Sequence, residues 1–196
     1  MDTIEKIKSK VRGYISEKRF IHSVGVANTA VYLSKIWGGN SGKLFVAGIL
    51  HDVARDMSAE KLIEIAEKNG YRIDEVEYAN PVLLHAPVGA IIAKSDFGIT
   101  DEEILNCIRY HTTGRKDMSL NEVIIYVSDF IEPSRNFPDA ERVRAIADKN
   151  LREALLEETY FNVCYLMNKR MPIHRRTIEM FNDFLKKELT KTQIKI

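Results

Sequence analysis

Apolar residues recur at helical spacing along almost the whole chain. In the first segment, about residues 2–16, Ile4, Ile7, Val11 and Ile15 fall three and four apart, which is one stripe of a helix. The next, FIHSVGVANTAVYLSKIW, sets Phe20, Val24, Ala27 and Val31 on one face and stops at the turn cluster Gly38-Gly39-Asn40-Ser41-Gly42. LFVAGILHDVA is nearly all apolar, and its length, alanines and glycine suit a buried helix better than a strand. Ser58 is placed to cap AEKLIEIAEKN, with Gly70 at its C-terminal end. Pro87 is placed as the first residue of a helix PVGAIIAKSDF. Thr100 with Glu103, and Ser119 with Glu122, read as capping boxes ahead of ILNCIRY and VIIYVSDFI. Pro133 ends the second of these, because the residue before a proline avoids the α region. A charged amphipathic helix starts near Asp139 and runs past Leu156. A last helix covers about 173–190, with Ile178, Phe181 and Leu185 on one face, and a Lys-rich tail follows. The pattern predicts an all-α fold, a single helical bundle of about eight or nine helices spanning residues 1–196, without repeats or a linker.

Composition fits one ordinary domain. The 196 residues are 45% hydrophobic and 29% charged, which excludes a collagen-like or mostly disordered chain. Lys and Arg total 29 against 28 Asp and Glu, so no overall positive field exists to hold nucleic acid, and that partner is disfavoured. Two isolated cysteines, Cys107 and Cys164, make no disulfide framework and point to a reduced compartment. No window reaches 18 apolar residues and the opening MDTIEKIKSKVRGYI has no apolar core, so a soluble, cytoplasmic protein without a membrane span is expected.

Some polar residues sit badly in this pattern. Asp52 and Asp129 each follow an apolar run, and burying an unpaired carboxylate costs several kcal/mol. His22 lies inside a helix, His51 adjoins Asp52, His85 precedes a helix start, and His111 closes one. Imidazoles and carboxylates converging from several helices are what a divalent metal requires. Each residue alone is also compatible with an ordinary helix end, and spacing by itself leaves both readings open. His174, in KRMPIHRR, stands apart and fits a structural or surface role.

The ordered set His22, His51-Asp52, His85, His111 and Asp129 resembles the HD superfamily of metal-dependent phosphohydrolases, named after the adjacent His-Asp pair. The flanks KRFIHSVGVANTA, GILHDVARDMSAEKL, LLHAPVGAIIA, IRYHTTGRKDMSLNEVIIYVSDFIEPSR and MPIHRRTIEMFN are similar to its YqeK-type subgroup, over about residues 8–187. The resemblance implies symmetrical hydrolysis of diadenosine tetraphosphate, a dinucleoside polyphosphate, to two ADP at a two-metal centre usually described with iron. It also implies that His22, His51, Asp52 and Asp129 hold one ion, and that Asp52, His85 and His111 hold the other, with Asp52 bridging. Without a thiolate, the mixed nitrogen and oxygen donors suit iron, manganese or cobalt. Two ions roughly 3.5 to 4 Å apart acidify a shared water and polarise a phosphoryl oxygen. Asp52, Arg19, Arg55 and Arg135 are then the candidate catalytic residues. Lys18, Thr112, Thr113 and Arg115 join the three arginines as candidate phosphate contacts, since guanidinium matches phosphate geometry. Phe137 and Tyr78 are candidate base-stacking residues. Two alternatives stay open: another HD-type phosphohydrolase acting on a deoxynucleotide or cyclic nucleotide, and a non-catalytic nucleotide- or RNA-binding regulator. The sequence also leaves open whether the domain forms a homodimer.

Overall fold

The computed structural model describes residues 3–193, with side chains described from Ile4 through Lys186; most side chains of the Lys-rich tail therefore lie outside what is described. Its elements are α1 (Thr3–Val11), α2 (Glu17–Trp37), α3 (Ser41–Leu50), α4 (Ala59–Lys68), α5 (Glu75–Ala79), α6 (His85–Ser95), α7 (Glu102–Tyr110), α8 (Leu120–Ile131), α9 (Pro138–Ala147), α10 (Leu151–Asn168) and α11 (Arg175–Gln193). A 3-10 turn, Pro81–Leu84, leads directly into α6. The all-α bundle is as expected, but the described residues hold 11 α-helices rather than eight or nine.

Two local events account for the difference. The single helix expected from Asp139 past Leu156 is two, because Asn150 adopts an extended backbone and its side chain accepts from the Glu153 N–H, starting α10 afresh. The short α5 is held by a reciprocal capping box between Asp74 and Glu77. Other boundaries shift as well. Asp101 rather than Thr100 caps α7, since Glu103 is drawn away to Lys43 and Asn121. Pro87 is the third residue of α6, not the first, where its missing N–H still leaves no broken helical bond. The Ser119–Glu122 box and the Ser58 cap form as expected, and Gly70 takes its left-handed φ of 70°.

α8 is the axis of the bundle. Every residue from Asn121 to Ser128 is buried, and α2, α3, α7, α9 and α10 all pack against it. α2 buries Ser23, Val26, Ala27, Ala30 and Leu33 against α3 and α8. Its buried face is therefore rotated from the expected Phe20–Val24–Ala27–Val31 stripe. On α11 the buried positions are Thr177, Met180 and Phe184, while Ile178 is exposed. α2 and α3 approach closely at Gly48. A Cβ on Gly48 would lie 2.5 Å from Ala27 Cα, so only glycine fits there. This contact sets the distance between the two helices that carry His22 and His51.

Candidate metal centre

Five helices deliver six side chains to one point. His22 comes from α2, His51 and Asp52 from the end of α3, His85 from the start of α6, His111 from the end of α7 and Asp129 from α8. His51, Asp52, His85 and His111 are at most 4% exposed, and His22 is 8% exposed. Asp52 divides the group. Its Oδ1 faces His85 Nε2 at 3.2 Å and His111 Nε2 at 3.7 Å, while its Oδ2 faces His51 Nε2 at 3.6 Å and His22 Nε2 at 3.9 Å. Asp129 Oδ1 lies 3.0 Å from His22 Nε2 and 3.9 Å from His51 Nε2. Two donor sets, His22–His51–Asp129 and His51–Asp52–His111, each fall within 4.8 Å and could hold an ion.

The ring orientations bear on what this centre can bind. His51 Nδ1 donates to Gly48 O at 2.7 Å and His111 Nδ1 to Ile108 O at 2.8 Å; His85 Nδ1 donates to Val82 O. A carbonyl only accepts, so each Nδ1 carries the proton and each neutral ring turns an unprotonated Nε2 inward. His22 is oriented alike, its Nδ1 3.0 Å from the buried Glu132 carboxylate. The Nε2 atoms of His85 and His111 stand only 3.1 Å apart. Two facing lone pairs at that distance repel unless a proton or a cation lies between them. The Nε2 atoms of His22 and His51 are buried without a hydrogen bond. The donor set fits a metal pair.

Electrostatics agree. Burial pushes the His51 imidazole down to about 4 and lowers His85. For His22 and His111 burial acts downward too, but the adjacent carboxylates, Asp129 beside His22 and Asp52 beside His111, favour a charged imidazole, outweigh burial and raise both. Burial disfavours the charged forms of Asp52 and Asp129, yet the surrounding imidazoles hold both below the usual carboxylate range. Two anionic carboxylates thus attract positive charge into a dry site.

Two cavities flank the cluster. One, about 590 Å³, is bordered by Arg55, His111, Thr112, Asp129, Arg135 and Glu158 among others; the other, about 410 Å³, by Lys18, Arg19, His22, Ser134, Arg135 and Phe137 among others. Arg19 reaches Asp52 at 2.9 Å and Asp56 at 3.4 Å. Arg135 donates to Asp129 Oδ1 at 2.9 Å and to the Asp129 carbonyl at 3.1 Å. The Thr112 hydroxyl is buried without a partner, whereas Thr113 is used locally, donating to Gly114 O and accepting at its carbonyl from Thr177. Arg115 is not brought to either cavity; it forms a two-point pair with Glu122 at 2.8 and 2.9 Å. Tyr78 is exposed and bonded to Glu67, also away from both.

Sequence reasoning passed over Glu132. It sits beside Pro133 and reads as a helix stop, yet it is 2% exposed, orients His22, and accepts from Ser134 N at 2.8 Å. Gly25 makes room for it, since a Cβ there would lie 2.5 Å from Glu132 Oε2. A third donor group, Asp74–Glu77–His174, also clusters. There His174 Nδ1 accepts from Arg176 N at 3.1 Å, so the proton is on Nε2, facing Asp74 Oδ2 at 2.9 Å. That tautomer has no lone pair left for a metal and suits a structural clasp between α11 and α5.

An all-helical bundle converging five histidine- and aspartate-bearing helices defines a class. The HD domain pattern matches residues 19–134, and the chain belongs to the HD-domain family. It is 39% identical to the symmetrical bis(5'-nucleosyl)-tetraphosphatase of Bacillus subtilis (strain 168), over 91% of this chain and 95% of that one. The enzyme of the same name from Staphylococcus aureus (strain NCTC 8325 / PS 47) is 35% identical, over 91% and 93%. The crystal structure of a predicted HD superfamily hydrolase involved in NAD metabolism from Clostridium acetobutylicum superposes with a TM-score of 0.91 at 40% identity, covering 93% of this chain and 97% of that one. Among the described residues no helix is long and apolar enough to cross a membrane.

Proposed function

We propose that this enzyme is a symmetrical bis(5'-nucleosyl)-tetraphosphatase, cutting diadenosine tetraphosphate at its central anhydride into two ADP. The observation that carries the reading is the inward-facing Nε2 cluster around Asp52, bordered by two cavities that share Arg135 and Phe137. A symmetrical cut needs room for a nucleoside diphosphate at both ends of the reacting phosphorus, and two cavities border the cluster. The relatives' names support the substrate. His22, His51, Asp52 and Asp129 would hold one ion and Asp52, His85 and His111 the other, with the two Asp52 oxygens turned to different sides. Nitrogen and oxygen donors without thiolate suit iron, manganese or cobalt, and the family resemblance puts iron first among them. When bound, such a pair supplies an acidified water and a polarised phosphoryl oxygen. The chain's own part is to hold the four rings by their Nδ1 bonds, exclude water by burial, and neutralise phosphate charge with Arg19, Arg55 and Arg135.

The test is product identification on metal-replete protein in ¹⁸O-labelled water. Two ADP, one of them labelled, is the expected result. ATP plus AMP, or faster turnover of deoxynucleotides or cyclic nucleotides, would overturn it.

A further inference from the structure

One polar group in the larger cavity has no part in the chemistry above. Glu158 lies on α10 at 3% exposure and borders the cavity with Asp129, Arg135 and Asn162. Its Oε2 is buried without a hydrogen bond. The nearby guanidinium of Arg135 is already committed to Asp129 through Nε and Nη2. Burial, reinforced by the Asp129 charge and only partly offset by the Arg135 guanidinium, pushes the Glu158 carboxyl well above its usual range, toward the neutral acid. A neutral acid presents an O–H donor beside a carbonyl acceptor. That pair of groups matches the adjacent donor and acceptor on a nucleobase edge, as a carboxamide matches adenine. A buried polar group left unmatched is costly, so a site built this way favours a ligand that completes it.

We propose that Glu158 is a base-recognition residue, receiving the nucleobase of one nucleotide half of the substrate by a two-point hydrogen bond in the larger cavity. The inference rests on the nucleotide reading above and adds where the base lies. The smaller cavity carries Lys18, Arg19 and Arg135 and suits the phosphates of the other half. Base reading is then one-sided.

Calorimetric titration of metal-replete protein with ADP and with pyrophosphate tests this. Glu158→Leu should weaken ADP by roughly 10- to 100-fold, the loss of two neutral hydrogen bonds. Pyrophosphate affinity should be unchanged, and Glu158→Gln, which keeps a donor beside an acceptor, should bind ADP within about threefold of the parent. Equal ADP binding by Glu158→Leu, or parallel loss of ADP and pyrophosphate, would overturn the proposal. So would a Glu158→Gln variant whose kcat falls while ADP affinity holds, because that marks a proton donor. Failure of the catalytic reading appears instead in the wild-type products, and the ADP–pyrophosphate comparison still decides the role of Glu158.

Discussion

Replacing Gly48 by alanine should strain the fold and the metal centre together. The new Cβ would stand 2.5 Å from Ala27 Cα, 2.7 Å from Ala27 N and 3.0 Å from Ala27 Cβ. Carbon atoms rest at about 3.5 to 4.0 Å, so α2 and α3 must separate by roughly 1 Å. Two of the three obstacles are backbone and have no other rotamer. Overpacking of this kind costs about 1–3 kcal/mol, and the gain in helix propensity returns about 1 kcal/mol. A net loss of up to about 2 kcal/mol lowers the melting temperature by up to roughly 8 °C for a chain of this size. The same displacement opens the centre, because His51 Nδ1 bonds Gly48 O at 2.7 Å and the His22 and His51 rings are 5.2 Å apart. Metal affinity should fall about tenfold or more, the scale of lost outer support. Thermal melts of chelator-treated protein and competition titrations with a coloured chelator measure the two effects. Gly70→Ala is the control, since its left-handed backbone faces open space far from the centre and should cost stability without touching metal affinity. A Gly48→Ala protein that melts at or above wild type and binds metal equally would refute the reasoning.

Glu132→Ala should lower metal affinity about 10- to 100-fold with helical content intact, because His22 loses the carboxylate that orients it; circular dichroism with metal titration checks both. Chelation should lower the melting temperature: ions at 100 times their Kd stabilise by about 2.7 kcal/mol, or roughly 5–11 °C, and equal melting with and without metal would contradict the centre. Glu158 binds a proton in the folded chain that it releases on unfolding above its ordinary value of 4.5, so its contribution is complete below that pH and is lost as pH rises toward the folded value. Urea melts at pH 5, 6 and 7 should therefore show Glu158→Gln gaining on wild type by up to roughly 1.4 kcal/mol per pH unit, and a constant difference would exclude a neutral acid.

Local chemistry made the caps readable in advance. Ser58, the Ser119–Glu122 box, Gly70 and Pro133 act within four residues of themselves, and nothing distant overrides them. Asn150 could not be read that way, since a polar residue between two amphipathic stretches is compatible with a continuous helix until α9 and α10 fold back on each other. Thr100 and Asp101 are both competent caps; the choice was made by Lys43 and Asn121, 60 and 18 residues from Glu103. Asp52 and Asp129 stood out because a carboxylate after an apolar run, as in ILHD and IIYVSD, is costly wherever the helix packs, but that left both readings open, and the resemblance to the HD superfamily joined the four histidines to them. Glu158 and Glu132 lie among other charges, in LEETYF and FIEPSR, where solvation is the ordinary expectation. Their burial is set by α2, α8 and α10 meeting, which no short window contains.

Arginine, rather than lysine, at positions 19 and 135 follows from the same arrangement. Each guanidinium holds a cluster carboxylate while bordering a cavity that the proposed function assigns to substrate. Arg135 spends Nε and one Nη2 proton on Asp129, and a planar fork of five donors still leaves N–H groups for a phosphate. An ammonium drawn to Asp129 would concentrate its charge there and could rotate away from a second anion. The carboxylate therefore fixes the direction of the donors before substrate arrives, which reduces the ordering cost of binding. Arg115 shows the contrast: its two-point pair with Glu122 braces the start of α8, and its distance from both cavities separates an arginine that supports the fold from those that border the site.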